Sequence, residues 1–201
     1  YLLDSRQTLK KFAIKRKNNL GSQPLNFTFP RKFEGNLEKY PKEKIKAAII
    51  REKGSNSERE MAHAMFISGF DVKDIHMTDL IEGRENLEDV KFIAAVGGFS
   101  NSDVLGSAKG WAGAFNFNKK AKDSLENFFK REDTLSLGVC NGCQLFISLG
   151  LINLDHDVKP KMIRNESKKF ECSFTSVKIQ KSSSVMMKDL EGTELGIWAA
   201  H

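Results

Sequence analysis

From Ala47 onward, short apolar runs alternate with stretches of helical periodicity, and this alternation constrains the fold more than any other feature of the chain. The apolar runs, which we interpret as strands, are 47–50, 70–77, 92–96 and 134–139. The helical stretches are 57–68, 119–129 and 141–149. Strands that are separated by helices need crossover connections, and such connections favour parallel pairing. The pattern therefore predicts an α/β fold with an open, mainly parallel sheet and flanking helices.

Local signals refine this prediction. Ser57 and Glu60 have the spacing of a capping box at the start of the first helix, and Gly69 follows its end. Residues 170–179 alternate with period two, and 195–200 is another strand candidate, so we predict an antiparallel extension at the C-terminal end. In the second helix, the residues expected to face inward are Ala121, Leu125, Phe128 and Phe129.

The positive charge of the chain is concentrated at its start. The net charge is +6, but residues 1–46 hold 12 Lys or Arg against 4 Asp or Glu, whereas the remainder holds 20 against 22. Segment 1–46 is also rich in Asn and Pro, which is typical of an extended linker, and no nucleic-acid-binding motif accompanies its basic residues. We therefore predict a basic linker over 1–46, a single domain over 47–201, and no nucleic-acid partner.

Several other classes of protein are disfavoured. No apolar run approaches the ~18–20 residues that cross a bilayer, so we expect no membrane partner. The chain begins with Tyr1 and stops at His201, and we expect it to be a piece of a longer polypeptide, truncated at its C-terminal end. Its three cysteines lack the spacing of a disulfide framework, which favours a reducing compartment and hence the cytoplasm.

Gly138-x-Cys140-x-Gly142 lies between a predicted strand and a predicted helix, which is the arrangement of a nucleophile elbow. Glycines on either side of a strained turn let neighbouring backbones pass closely. The N-terminal amides of the following helix favour the thiolate, and the amide of Asn141 is placed to stabilise an oxyanion. The pattern therefore indicates a cysteine nucleophile.

Other interpretations of Cys140 remain open. A free cysteine is often a small buried apolar residue. Cys140 and Cys143 also form a C-x-x-C pair, which is typical of redox motifs, although such motifs usually lie beside the first βαβ unit of the fold. Zinc would need two further ligands, and His63, His76 and His156 do not have ligand spacing. We therefore predict no metal site.

Two further features would complete a cysteine active site. Gly97 and Gly98 follow the third predicted strand and form either an ordinary tight turn or a second oxyanion donor. A cysteine nucleophile also needs a histidine partner, and His201 follows the last strand candidate. His63, His76 and His156 lie in less suitable places, so His201 is our candidate base.

These residues resemble class I glutamine amidotransferases, and longer strings are similar to the amidotransferase domain of phosphoribosylformylglycinamidine synthases of the large, single-chain form. The resemblance runs from about Lys46 to His201. The strings are 51–56 (REKGSN), 76–80 (HMTDL), 97–100 (GGFS), 103–112 (DVLGSAKGWA), 138–144 (GVCNGCQ), 164–167 (RNES) and 170–171 (FE).

The resemblance implies a flavodoxin-like sheet and a specific activity. Cys140 would attack glutamine, His201 would move protons, and a γ-glutamyl thioester would release ammonia. An upstream synthetase region, which 1–46 would connect, would use that ammonia with ATP and Mg²⁺ to convert formylglycinamide ribonucleotide into its amidine in purine biosynthesis. No cofactor is implied for this domain itself. The oxyanion or glutamine-binding residues implied by the resemblance are Gly98, Phe99, Ser100, Asn141, Gln144, Arg164 and Asn165.

The chain departs from the family pattern in two places. The family usually has Tyr-Gly or Tyr-Ala after the GGFS string, where this chain has Asn101 and Ser102. The family also continues after its histidine with a glutamate that completes a triad, which we expect beyond residue 201. A related cysteine hydrolase acting on another amide, or a non-catalytic relic of the domain, are the alternatives.

Overall fold

The computed structural model describes residues 27–28, 43–152, 157–187 and 189–200, which divide into two units. The larger unit comprises 43–152 and 157–171 together with Ala200. The smaller unit comprises Phe27, Thr28 and the described residues between Cys172 and Ala199. Nearly all of the predicted linker, and the candidate base His201, lie outside the described residues.

The larger unit alternates strands and helices, as the sequence predicts. Its strands are β1 (Ile45–Arg51), β2 (Ser55–Asn56), β3 (Phe70–His76), β4 (Phe92–Ala95), β5 (Gly97–Gly98) and β6 (Leu135–Gly138). Its helices are α1 (Glu58–Ile67), α2 (Met77–Glu82), α3 (Lys109–Asn116), α4 (Lys119–Lys130) and α5 (Asn141–Ser148), with a 3-10 turn at Ser100–Asp103.

Four strands form one parallel sheet in the order β3-β1-β4-β6. The chain moves outward from β1 to β3 on one side and from β4 to β6 on the other, so the strand order reverses between β1 and β4. In open α/β sheets, ligands bind at the carboxyl ends of the strands beside such a reversal. The predicted parallel sheet is therefore confirmed, and it places the ends of β1, β4 and β6 at one edge.

Apolar side chains cover both faces of this sheet. In β1, Ala48 and Ile50 join a large cluster that includes Trp111 and Phe115 of α3, whereas Ala47 and Ile49 join a second cluster on the opposite face. Strands buried on both faces are expected to be continuously apolar, which explains why β1 and β4 are recognisable as short uninterrupted runs. Of the residues predicted to face inward from α4, Ala121, Leu125 and Phe128 are buried, and Phe129 packs partly buried against them.

The predicted capping box at Ser57 is wrong. Ser57 has φ 74° and ψ 17°, and its side chain caps no amide of α1. A capping side chain requires an extended backbone at the cap residue, which a left-handed conformation does not provide. A capping box occurs instead at α2, where the His76 ring accepts from Thr78 N at 3.2 Å and Asp79 Oδ2 accepts from His76 N at 3.3 Å.

The smaller unit contains β7 (Cys172–Lys178), a 3-10 turn (Val185–Met187) and most of β8 (Glu194–Ala200). The two strands pair with each other as the predicted antiparallel extension. Thr28 forms an antiparallel bridge with Glu194, and the ring of Phe27 meets that of Phe174 edge-on. No helix in the described ranges is both long and apolar enough to cross a membrane.

Candidate active site

Cys140 occupies a strained turn between β6 and α5. Its φ is 52° and its ψ is −111°, a combination that residues with a side chain rarely adopt. The turn is held by Val139 N, which donates to Ala95 O at 3.0 Å, and by Gly142 N, which donates to Val139 O at 2.9 Å. Backbone strain of this kind persists where the surroundings fix it, and it is typical of functional sites. The strand, turn and helix of the predicted elbow are therefore present.

The two glycines that flank Cys140 are required for packing. A Cβ at Gly142 would come within 3.0 Å of three atoms of Ala95, including its carbonyl oxygen. A Cβ at Gly138 would lie 2.8 Å from Gly142 O and 2.9 Å from the Cα of Cys143. Helix α5 therefore begins in direct backbone contact with β4, and this contact sets the position of the thiol against the sheet.

The Gly97–Gly98 segment runs beside the thiol. A Cβ at Gly97 would lie 3.9 Å from Cys140 Sγ. β5 pairs with β2 in antiparallel fashion, and Phe99 N donates to Gly54 O at 2.9 Å. Of the two amides considered as donors, that of Phe99 is thus already used.

The turn that follows β1 contacts the Gly97–Gly98 segment and supports it. Glu52 is only 7% exposed, and its Oε1 accepts from Lys53 N at 2.7 Å and lies 4.0 Å from His76 Nε2. Ser55 closes the turn by donating its hydroxyl to Glu52 O at 2.7 Å. Gly54 has φ 82°, and a Cβ there would overlap the carbonyl oxygen of Phe99. The REKGSN string is therefore needed to hold the Gly97–Gly98 segment in place.

The side chain of Asn141 joins the two loops. It is 2% exposed, and its Oδ1 accepts from Ser100 Oγ at 2.6 Å and from Ser100 N at 3.3 Å. Its Nδ2 donates to Gln144 Oε1 at 3.0 Å. Sequence reasoning selected Asn141 for its backbone amide and did not anticipate this role, because the partner loop lies 41 residues away in the chain.

A cavity of about 230 Å³ opens beside Cys140. Such a volume is smaller than the ~300–1,000 Å³ of sites for drug-sized ligands and suits a molecule the size of an amino acid. The rings of Phe99 and Phe170 lie at its rim, 6.2 Å apart and both more than half exposed. Its lining residues are Gly98, Phe99, Asp103, Cys140, Gln144, Phe170 and Ala200. A larger cavity of about 460 Å³ between α2 and α4 contains none of the predicted site residues.

The structure brings together most of the predicted site but not all of it. Gly98, Phe99, Cys140 and Gln144 line one cavity, with Ser100 and Asn141 bonded to each other behind it. Arg164 and Asn165 are not among the described residues that line the cavity, and Asn165 Nδ2 donates to Lys169 O at 2.8 Å. Asp103 and Phe170 line the cavity although sequence reasoning did not select them as site residues.

The two cysteines of the C-x-x-C pair differ in environment. Both thiols are free. Burial raises the pKa of the Cys143 thiol above its ordinary value, and the neighbouring Cys140 raises that pKa further. Cys140 Sγ lies at the cavity, 3.6 Å from Ala200 O. Their surroundings therefore favour Cys140 as the reactive thiol.

The departures at Asn101 and Ser102 fall in a strained turn. Asn101 has φ 52° and ψ 36°, and Ser102 has φ 56° and ψ 18°. Asparagine tolerates the left-handed region because its short amide can bond locally, whereas serine has no such advantage. The glycine that the resembled family often has at the second position would adopt this conformation without strain.

Replacing Ser102 by glycine is expected to raise the free energy of unfolding by up to about 1 kcal/mol. Relief of left-handed strain contributes ~1–2 kcal/mol, and the extra freedom of glycine in the unfolded chain offsets about half of it. Urea denaturation of the intact protein measures the change. Ser68→Gly is the control, because Ser68 has φ −85° and glycine there should lower stability. An equal loss in both variants would contradict the assigned strain.

A parallel sheet with the order β3-β1-β4-β6, with a strained cysteine turn between its edge strand β6 and helix α5, places this chain in the class of open α/β proteins. Within that class, a sequence model of the CobB/CobQ-like glutamine amidotransferase domain matches residues 44–201. The chain belongs to this family, and the resemblance inferred from its motifs is confirmed.

The chain is similar to two curated relatives that carry the name of one enzyme. The chain is 48% identical over 165 residues to the probable phosphoribosylformylglycinamidine synthase, chloroplastic/mitochondrial, of Arabidopsis thaliana, with 79% of this chain covered. It is 44% identical over 160 residues to phosphoribosylformylglycinamidine synthase of Dictyostelium discoideum, with 78% of this chain covered. The chain spans about 12% of the length of each of these relatives.

A solved structure, PurLQS from Thermotoga maritima, superposes with a TM-score of 0.62 and 25% identity. The similarity covers 79% of this chain and 67% of that chain. The predicted fold class is therefore confirmed by a known structure as well as by the strand order.

Proposed function

We propose that this chain is the glutaminase part of a phosphoribosylformylglycinamidine synthase. It would hydrolyse glutamine and supply ammonia for the ATP-dependent conversion of formylglycinamide ribonucleotide into formylglycinamidine ribonucleotide. The observation that carries the proposal is the strained Cys140 at the start of α5, which lines the same cavity as Gly98. Family membership and the two named relatives support the choice of glutamine and of the pathway.

The first half of the reaction forms a thioester. Cys140 Sγ attacks the side-chain amide carbon of glutamine, and the carbonyl oxygen becomes an oxyanion that the amides of Gly98 and Asn141 stabilise. The tetrahedral intermediate collapses when the carbon–nitrogen bond breaks. The nitrogen leaves as ammonia after it takes up the proton that the thiol released. In the second half, water attacks the thioester, the carbon–sulfur bond breaks, and glutamate leaves.

The oxyanion site is built for fixed geometry. Ser100 and Asn141 are hydrogen-bonded, so the loop that carries Gly98 and the helix that carries the Asn141 amide are held to each other. Preorganised donors are effective because they need no reorganisation when charge develops. Gln144, bonded to Asn141 in the cavity wall, holds that side chain in place. Arg164 and Asn165 stay candidates for contacts with glutamine on the strength of the resemblance.

We assign the proton transfers to His201. Cys140 Sγ lies 3.6 Å from the carbonyl oxygen of Ala200, and His201 is the next residue in the chain. The family resemblance supplies a glutamate beyond His201 that would orient the imidazole, as the acid does in other triads.

The ammonia would pass to a synthetase region of the same polypeptide. The relatives are more than eight times as long as the matched segment, which leaves room for that region. ATP and Mg²⁺ are expected there and not in this domain. We propose the cytoplasm as the compartment because the thiols of Cys140, Cys143 and Cys172 are free, which suits a reducing environment.

Active-site labelling tests the proposal. In the intact synthase, a glutamine-mimicking chloroketone near neutral pH is expected to label Cys140 first, and excess glutamine should protect it. Cys143 should react slowly because its raised pKa leaves little thiolate, and its labelling should increase as the pH is raised. Peptide mass spectrometry locates the label and detects a γ-glutamyl thioester.

The control reagent is iodoacetamide, which has no affinity for a glutamine site. It should label the exposed Cys172 as well as Cys140, so the additional preference of the chloroketone for Cys140 measures recognition of the glutamine-like part. Labelling of Cys143 or Cys172 ahead of Cys140 by the chloroketone would overturn the assignment. Labelling without protection by glutamine would favour a hydrolase that acts on another amide.

A further inference from the structure

Asp103 stands out among the residues around Cys140. Of the described residues that line the cavity, it is the one with a carboxylate, and the others are apolar, glycine, glutamine or the thiol itself. It closes the 3-10 turn at Ser100–Asp103, and its φ of 52° makes it the third successive residue with a positive φ. The turn is therefore held in an unfavourable conformation at the point where it presents this acid to the cavity.

One oxygen of this carboxylate is unsatisfied. Asp103 Oδ1 exposes less than 1 Å² and has no hydrogen-bond partner among the described residues. Buried polar atoms are nearly always bonded, and an exception calls for an explanation such as a ligand that is bound during function. The other polar side chain of the lining, Gln144, already accepts a hydrogen bond from Asn141. Asp103 thus has bonding capacity left for a cation, which Oδ1 would reach by a turn of the carboxylate toward the cavity, because that oxygen exposes less than 1 Å².

The expected substrate carries a matching charge. At neutral pH free glutamine has an α-ammonium group, whose nitrogen is four bonds from the side-chain amide carbon that Cys140 would attack. A cavity of about 230 Å³ holds both ends of such a molecule within its walls. A carboxylate oxygen that is shielded from water binds an ammonium group more strongly than an exposed one does.

We infer that Asp103 recognises the α-ammonium group of glutamine and makes the site specific for the free amino acid. The inference rests on the proposed function. It adds that the site also recognises a group of the substrate that is distant from the reacting carbon. Amides without a free α-amino group, such as N-acylated or peptide-bound glutamine, would leave the buried oxygen unsatisfied and would be rejected. Asp103 is a specificity residue in this scheme and takes no part in bond breaking.

The experiment compares glutamine with glutaramate, which lacks only the α-amino group, as nitrogen donors for the intact synthase. The wild type is expected to prefer glutamine by about 10- to 100-fold in kcat/KM, the range for a hydrogen bond to a charged group. In Asp103→Asn this preference should shrink to a few-fold, mainly through a higher KM for glutamine. Asp103→Glu, which keeps the charge, should retain part of the preference.

The matched control is Asp133→Asn, which removes an exposed carboxylate that pairs with Lys91 and should leave the preference unchanged. Equal use of both donors by the wild type, or an undiminished preference in Asp103→Asn, would overturn the inference while leaving a working glutaminase. A fall in kcat at constant KM and constant preference would also overturn it, because that result indicates a structural role. A wild type that uses neither amide but accepts free ammonia would instead overturn the proposed function, and the inference with it.

Discussion

Replacing Cys140 by alanine in the intact synthase is expected to abolish glutamine-dependent synthesis, by on the order of 10³-fold or more, and to leave synthesis from added ammonia intact. Without the thiol no thioester forms, and a nucleophile is the part of such a site whose removal is least compensated. The ATP-dependent step needs ammonia but not this cysteine. Parallel assays with glutamine and with an ammonium salt as nitrogen donors measure the two activities.

The control for this variant is Cys172→Ala. Cys172 is exposed on β7, in the smaller unit, and its removal should affect neither assay. Equal loss of both activities in Cys140→Ala, in a protein that unfolds at the wild-type urea concentration, would show that the two reactions are not divided as proposed. Full retention of the glutamine-dependent activity would exclude Cys140 as the nucleophile.

Replacing Gly142 by alanine is expected to destabilise the domain by about 3 kcal/mol or more. The added methyl group would overlap the Ala95 carbonyl, which belongs to a central strand and cannot move without disturbing β1 and β6. Overpacking typically costs about 1–3 kcal/mol, and a clash with backbone rather than with a side chain lies at the upper end. Urea denaturation measures the loss, and glutamine-dependent activity should fall with it because the thiol is displaced.

Gly113→Ala provides a close control, since Gly113 also lies within a helix. A Cβ there would meet only the Phe117 ring, at 3.8 Å, which is an ordinary contact. Alanine in an unstrained helical position should stabilise the protein by about 0.5–1 kcal/mol. The two substitutions are therefore expected to have opposite signs. A harmless Gly142→Ala would mean that α5 does not pack on β4 through backbone contact.

The sequence predicts the sheet well because the buried strands are locally distinctive. β1 and β4 are short apolar runs that need no knowledge of their neighbours, and α4 has an inward face with helical spacing. Helices α2 and α3 are not predicted from the sequence, for physical reasons. Helix α3 contains Gly110 and Gly113, which weaken a helical pattern, and α2 is only six residues long. Its start depends on a histidine cap, which is not among the usual capping residues.

The candidate site also contains some residues that the sequence predicts and others that it does not. Cys140, Gly98 and Gln144 belong to strings whose spacing suggests their chemistry, and the structure brings them to one cavity. Asp103 and the side chain of Asn141 could not be selected from the sequence, because their importance depends on which atoms remain unbonded and which loops meet across the sheet edge. The spacing of a motif indicates which residue types could act together. Which polar atoms remain without a hydrogen-bond partner is decided only by the folded structure.

The hydrogen bond between Ser100 and Asn141 has a consequence for protein engineering. The bond joins the loop after β4 to the start of α5. The two segments are far apart in the sequence, but they would have to be transferred together to another protein. Grafting the elbow alone onto another α/β scaffold would transfer the thiol and the Asn141 amide without the second proposed oxyanion donor, Gly98. A functional graft has to carry both segments, together with the REKGSN turn whose Gly54 carbonyl fixes the peptide between Gly98 and Phe99.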